Sequence, residues 1–232
     1  MTGFPRYAIY FAAGTDNALS RFGAELIGYD AYTGDELPFP DEALRTATDW
    51  RDVSADSRKY GFHATLKAPM ALAPGRTEAE LVAACRAFAG KARPIPLTRP
   101  VVNSISGFIA VIPAAPVAEL QQLAADCVRE FDEFRATLTA EDRARRRPDK
   151  LTERQRDYLD RWGYPYVMEE FRFHMTLTGR LDVERRGPIL EMLRGRFAGL
   201  KLDTLAIDRI ALFKQDDARA RFRIIGEWIL SR

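Results

Sequence analysis

The sequence predicts an α+β fold of two pseudo-symmetric lobes, each an antiparallel sheet with helices on its outer face, around a central cleft. Three observations lead there. The two histidines of the 232-residue chain stand in the same frame, His63-Ala64-Thr65-Leu66 and His174-Met175-Thr176-Leu177. Each frame lies in a run that alternates polar and apolar residues, the period of a strand with one buried face. The elements around the two frames follow the same order, β-α-β(His)-α-β, once on either side of residue 106. Pieces in this order form antiparallel sheets with helices on one face, and two such lobes facing each other bring their histidine strands together.

The first strand is the β-rich run from Tyr7 to Ala13, ended by Gly14. Asp16 is placed to cap a helix whose apolar face carries Leu19, Phe22, Leu26 and Ile27. A polar stretch with Pro38, Pro40 and Trp50 leads to a second strand over 61–72, which carries His63. Thr77-Glu78-Ala79-Glu80 is a capping box opening a helix that reaches Gly90. Strands at 95–103 and 107–113 flank the turn composition Ser104-Ile105-Ser106-Gly107. The second round starts with the strand Phe108–Ile112 and a helix from Val117 to Phe134. After an insertion at 135–170 come a strand at 171–180 with His174, a helix at 184–197, and strands at 202–213 and 220–230. The whole reads as one bilobal domain, 1–232, with halves 1–106 and 107–232.

Composition narrows the function classes. With 47% hydrophobic residues the chain can fill a core, and a net charge of +2 lacks the basic excess of a dedicated nucleic-acid binder. Long nucleic acid is therefore not an expected partner, whereas a small anionic substrate needs only a local positive pocket. Cys85 and Cys127 fall in amphipathic helical patterns and read as small core residues in a reducing compartment. The opening Met1-Thr2-Gly3-Phe4-Pro5 lacks the pattern of a secretory signal, and no apolar stretch approaches the roughly 20 residues of a membrane span. A cytoplasmic monomer without membrane contact is the expectation. The insertion mixes Arg143, Arg145, Arg146, Arg147 and Lys150 with Glu141, Asp142 and Asp149. It reads first as a solvated helical excursion, and second as a lid whose arginines meet an anionic substrate.

The alternation sorts the chemistry. His63, Thr65 and Lys67 share one face of the first motif strand, while Phe62, Ala64 and Leu66 share the other. Arg172, His174, Thr176 and Thr178 share a face of the second, with Phe173, Met175 and Leu177 opposed. Two imidazoles, several hydroxyls and one or two cations suit a phosphodiester. The threonines can donate to nonbridging oxygens, Lys67 or Arg172 can offset charge in the transition state, and the imidazoles can serve as base and acid. Tyr10 can line the cleft or pack in the core. No Asp, Glu or Cys shares the polar faces, so neither a metal nor another cofactor is expected. A Gly-x-Ser-x-Gly elbow, a P-loop and a dinucleotide-binding glycine motif are absent from the sequence.

The flanks of the motifs carry a resemblance. Tyr60-Gly61-Phe62-His63-Ala64-Thr65-Leu66-Lys67-Ala68-Pro69 resembles the first motif of the 2H phosphoesterase superfamily, in its bacterial branch associated with phosphonate-utilisation operons. Arg161-Trp162-Gly163-Tyr164-Pro165-Tyr166, with Phe171-Arg172-Phe173-His174-Met175-Thr176-Leu177-Thr178-Gly179, resembles the second, and Arg6-Tyr7-Ala8-Ile9-Tyr10-Phe11 fits the opening strand. The resemblance implies a bilobal fold and metal-independent opening of a cyclic phosphodiester by His63, Thr65, His174 and Thr176. For that branch it further implies a cyclic ribose phosphate as substrate. An RNA-end 2′,3′-cyclic phosphodiesterase or 2′,5′-ligase-like enzyme is the competing enzymatic reading, and a non-catalytic binder of a nucleotide or sugar phosphate is the third. Which histidine is acid and which is base stays open at the level of sequence.

Overall fold

The computed structural model describes residues 3–231. In chain order the first half contains β1 (Arg6–Phe11), α1 (Ala18–Ile27), three short helices α2 (Asp41–Thr46), α3 (Trp50–Val53) and α4 (Ala55–Tyr60), then β2 (Ala64–Ala71), α5 (Glu78–Ala89), β3 (Ile95–Thr98) and β4 (Pro100–Ile105). The second half continues with β5 (Phe108–Pro113), α6 (Ala118–Glu130), α7 (Ala140–Arg145), α8 (Glu153–Trp162), β6 (Met175–Thr176), α9 (Val183–Ala198), β7 (Thr204–Ile207), β8 (Arg209–Gln215) and β9 (Arg223–Ile229).

The fold is α+β with a large antiparallel sheet. The sheets of the two expected lobes meet edge to edge and form one seven-stranded sheet, in the order β4-β5-β6-β2-β1-β8-β9. The seam is the bridge between β2 and β6, where Ala64 pairs with Met175. These are the middle residues of the two His-x-Thr frames. Antiparallel register then sets His63 opposite Thr176 and Thr65 opposite His174. Outward from the seam the order is β1 then β8 on one side and β5 then β4 on the other, a pseudo-two-fold arrangement. The halves of the chain are interleaved in it: β8 of the second half pairs with β1, and β4 of the first half pairs with β5. The separate pair β3–β7 also joins the halves, from Ile95 opposite Ile207 to Thr98 opposite Thr204.

Several expected elements differ in detail. The strand expected over 95–103 breaks at Arg99, whose φ of 53° turns the chain from β3 into β4 in another sheet. The one expected over 202–213 breaks at Asp208 between β7 and β8. The strand expected over 171–180 is hydrogen-bonded as a strand only at Met175–Thr176. Past that point the N–H groups of Leu177 and Thr178 both turn to the Ile109 carbonyl, at 2.9 and 3.3 Å, and the Gly179 N–H leaves the sheet for Val53 O at 2.7 Å. The Asn17 side chain, not that of Asp16, caps α1 by accepting from the Leu19 N–H at 2.9 Å.

Packing follows the amphipathic patterns. Leu19, Phe22, Leu26 and Ile27 of α1 are all buried, each worth about 1.5–3 kcal/mol against exposure. Trp50 is fully buried and its indole N–H donates to Leu26 O at 2.7 Å, tying α3 to the end of α1. The capping box at Thr77 and Glu80 starts α5 as expected. Cys85 and Cys127 are buried free thiols. Among the described residues no helix is long and apolar enough to cross a membrane.

Candidate active site

Gly61 sets up the first motif. Its φ of 77° is in the region that favours glycine, and a Cβ there would lie 2.6 Å from the Ala31 Cβ. The Gly61 carbonyl oxygen lies 2.8 Å from His63 Nδ1. A carbonyl can only accept, so Nδ1 holds the proton and Nε2 presents a lone pair, 3.3 Å from Thr65 Oγ1. The ring stacks on Tyr10 with centroids 3.7 Å apart and planes 17° from parallel. Burial pushes the His63 pKa down to about 4, against a raising effect of the Gly61 carbonyl and with a further lowering by His174. His63 is therefore neutral at neutral pH.

The second motif repeats the device. His174 Nδ1 lies 2.6 Å from the carbonyl oxygen of Arg172, again two residues upstream, so its Nε2 is likewise the free nitrogen. Its aromatic neighbour is Phe108, at 5.4 Å between centroids. Burial lowers the His174 pKa too, and the Arg172 carbonyl opposes the shift.

A cavity of about 350 Å³ opens at the seam. Thr65 and His174 line it together with Arg172, Arg180, Tyr164 and Tyr166. Thr176, partly exposed, stands at the register position opposite His63. The end of the insertion is thus a wall of this cavity rather than a solvated excursion alone. Tyr164 and Tyr166 meet edge to face, with centroids 5.6 Å apart. Much of the arginine-rich part is solvated and paired: Arg143 with Asp160 and Arg145 with Glu141, each at 2.6 Å. Arg146 instead lies over the Tyr164 ring, at 5.0 Å.

Five of the expected site residues lie outside the cavity lining: His63 and Thr176, which stand opposite each other at the seam, and Lys67, Thr178 and Tyr10. Lys67 is 3% exposed, and its ammonium is held by Asp132 Oδ1 at 2.7 Å and Val128 O at 3.0 Å. It is a buried cation tying β2 to the end of α6, because the bulged pairing of β1 with β2 and the packing of α6 close that end of the face. Thr178 is fully buried, accepts from the Ile109 N–H at 3.0 Å and donates to Gly179 O at 2.9 Å. The chain has left regular strand there, so the alternation that put Thr178 beside Thr176 fails. Tyr10 is 1% exposed and lies beneath His63, where it supports the ring.

Arg180, by contrast, was not singled out by sequence, although it continues the series 172, 174, 176, 178 by one more step. Phe108 and Ser106, at the turn between β4 and β5, also line the cavity and carried no motif signal. Among the described residues no cluster of three or more His, Cys, Asp or Glu is arranged to hold a metal ion.

Residues 65–223 match the family described as protein of unknown function DUF1045. The chain belongs to that family. Among curated proteins the chain is similar to the ribose 1,5-bisphosphate phosphokinase PhnN of Janthinobacterium sp. (strain Marseille), 36% identical over 226 residues that cover 94% of this chain and 49% of the relative. The protein of the same name from Laribacter hongkongensis (strain HLHK9) is 32% identical over 97% of this chain and 52% of its own length. The DUF1045 chain thus spans about half the length of these curated relatives. Among solved structures it is similar to a phosphoesterase, 18% identical, with a TM-score of 0.46 over 98% of this chain and 99% of that one. It is also similar to E. coli LigT complexed with 3′-AMP, 18% identical, with a TM-score of 0.43 over 99% and 100%.

Proposed function

We propose that this DUF1045 protein is a hydrolase that opens a small cyclic phosphodiester by acid–base catalysis between His63 and His174. The observation that carries this reading is the pairing of the two His-x-Thr frames across one bridge, with both Nε2 atoms left as the unprotonated nitrogens by matching Nδ1–carbonyl contacts. Phosphoester chemistry in phosphonate metabolism is the broader setting, supported by the two His-x-Thr frames and by the name of the curated relatives.

In this mechanism neutral His63 takes a proton from water as the water oxygen attacks phosphorus. The ring P–O bond breaks, and His174, protonated in the complex, delivers its proton to the leaving oxygen. An anionic phosphodiester raises the proton affinity of the imidazole beside it, which favours the protonated form of His174 when substrate is bound. The hydroxyls of Thr65 and Thr176 donate to the nonbridging oxygens as charge builds there. No step draws on a metal or an organic cofactor, and two buried thiols suit a reducing cytoplasm.

The substrate class is a cyclic ribose phosphate. The curated relatives are named for a ribose bisphosphate kinase, and this chain covers about half of each and lacks a P-loop. Opening a ribose 1,2-cyclic phosphate at the 2-oxygen leaves a ribose 1-phosphate, which links the two chemistries. The test is hydrolysis of ribose 1,2-cyclic phosphate and 2′,3′-cyclic nucleotides in EDTA, with His63→Ala and His174→Ala proteins in parallel. Chelator-resistant turnover lost in both variants is expected; turnover abolished by EDTA would overturn the metal-free mechanism. The aromatic pair Tyr164–Tyr166 favours a second reading, in which a base stacks on the wall and the substrate is an RNA end bearing a 2′,3′-cyclic phosphate. Faster turnover of such an oligonucleotide than of the sugar phosphate would select it.

A further inference from the structure

We infer that Arg172 and Arg180 form a second anion subsite at the His174 end of the cavity, so that the substrate is a small cyclic phosphodiester carrying a separate phosphate monoester. This rests on the phosphodiesterase reading above and names the substrate class of that same site.

Both guanidiniums line the cavity, and both are exposed at its mouth. Among the described residues neither makes an ion pair or a side-chain hydrogen bond with a carboxylate. Arg143, Arg145 and Arg154 face Asp160, Glu141 and Glu170 respectively. Glu170, the carboxylate in the cavity wall, is turned to Arg154 at 3.7 Å and to the Gln155 amide at 2.9 Å. The two cavity arginines therefore have open donor sets.

A cyclic diester has one negative charge, and the two threonines with an imidazolium answer it. Two further guanidiniums exceed that need by about the charge of a phosphate monoester, whose oxygens match the planar arginine fork. The volume of about 350 Å³ lies near the lower end of ligand pockets and fits a phosphorylated pentose, not an extended polymer.

The subsite is one-sided. Arg172 stands two residues before His174; the pseudo-symmetric position before His63 is Gly61, where backbone and the Ala31 contact exclude a side chain. A substrate with a second phosphate can then enter in one orientation only, with that phosphate at the His174 end. This removes the formal interchangeability of the two histidines.

The experiment compares ribose 1,2-cyclic phosphate with and without a 5-phosphate as substrates for the wild type, Arg172→Gln, Arg180→Gln, the double variant, and Arg143→Gln as a surface-arginine control. The wild type is expected to prefer the 5-phosphorylated compound by about 10–100-fold in kcat/KM, the range of one or two charge-assisted contacts, and the double variant to lose that preference. The control keeps it. Equal turnover of the two compounds by the wild type, or a preference unchanged in the double variant, would overturn the subsite while leaving the hydrolase reading in place. If the wild type hydrolyses neither, calorimetry with ribose 1,5-bisphosphate and ribose 1-phosphate still decides: tighter binding of the bisphosphate, lost in the double variant, supports the subsite, and equal binding sinks it.

Discussion

The first and second motif strands are copies of one frame put to different uses. β2 runs for eight residues in the middle of the sheet, with β1 along one side; β6 has two residues before the chain peels away. His63 rests on a stacked phenol ring, and two residues before it stands a glycine that cannot be replaced without a clash. His174 has a phenylalanine at a tilt, and two residues before it stands an exposed arginine. Four residues past each histidine, Lys67 is neutralised by Asp132 inside the protein, while Thr178 plugs the end of a broken ladder. The two frames thus hold matching imidazoles, and the flanking positions enclose one and leave the other open to the cavity.

The comparison breaks first at the histidines. His63→Ala and His174→Ala should each lower kcat by about 10²–10⁴-fold with the thermal transition retained. Full activity in either protein would mean that only one half of the duplication is used. The next effect separates stability from catalysis. Lys67→Ala leaves Asp132 facing an empty site, and breaking a buried pair in this way costs about 3–5 kcal/mol, lowered here because Asp132 keeps Arg135 at 2.8 Å. Denaturant titration should show the loss; a Lys67→Met protein of normal stability but with a raised KM for phosphate substrates would return Lys67 to the site.

A smaller effect lies in the pH dependence. The folded pKa of His63, about 4, is below its ordinary 6.5, so between those values the unfolded chain binds more protons than the native one. Stability should fall as pH drops from about 6.5 to about 4, and His63→Gln should flatten that fall. Melting temperatures of both proteins across the window provide the check, and identical slopes would show that His63 is not buried as a neutral base. Smallest of all, Phe108→Leu removes the aromatic neighbour of His174, a contact worth about 0.5–1.5 kcal/mol, and should raise KM by about 2–10-fold with little change in the pH profile. An unchanged KM would place the ring outside the substrate's path.

The duplicated histidine frame, the helix faces and the order of elements were legible in the sequence because each is a local pattern with its own period. The pairing of Ala64 with Met175 follows from the duplication once the two strands are placed side by side. What sequence missed depends on non-local backbone routes. Nothing near Thr178 announces that its hydroxyl replaces a backbone acceptor for Ile109, so strict alternation carried it into the site. Lys67 looked like a phosphate ligand because Asp132, which holds it, is far away in sequence. Arg180 was within reach of the alternation but lay beyond the conventional end of the motif. The break at Arg99, with its left-handed backbone, is invisible to a propensity argument that reads 95–103 as one run.

The interleaving of β4 and β8 makes the two halves of the chain obligate complements. Cut at the turn near residue 106, the first fragment would lack the strand that covers β1, and the second would lack the strand that covers β5. Each piece would expose a bare β edge that the other was built to close. In geometry this is a domain-swapped dimer written into a single polypeptide, each half lending the other a strand from its C-terminal part.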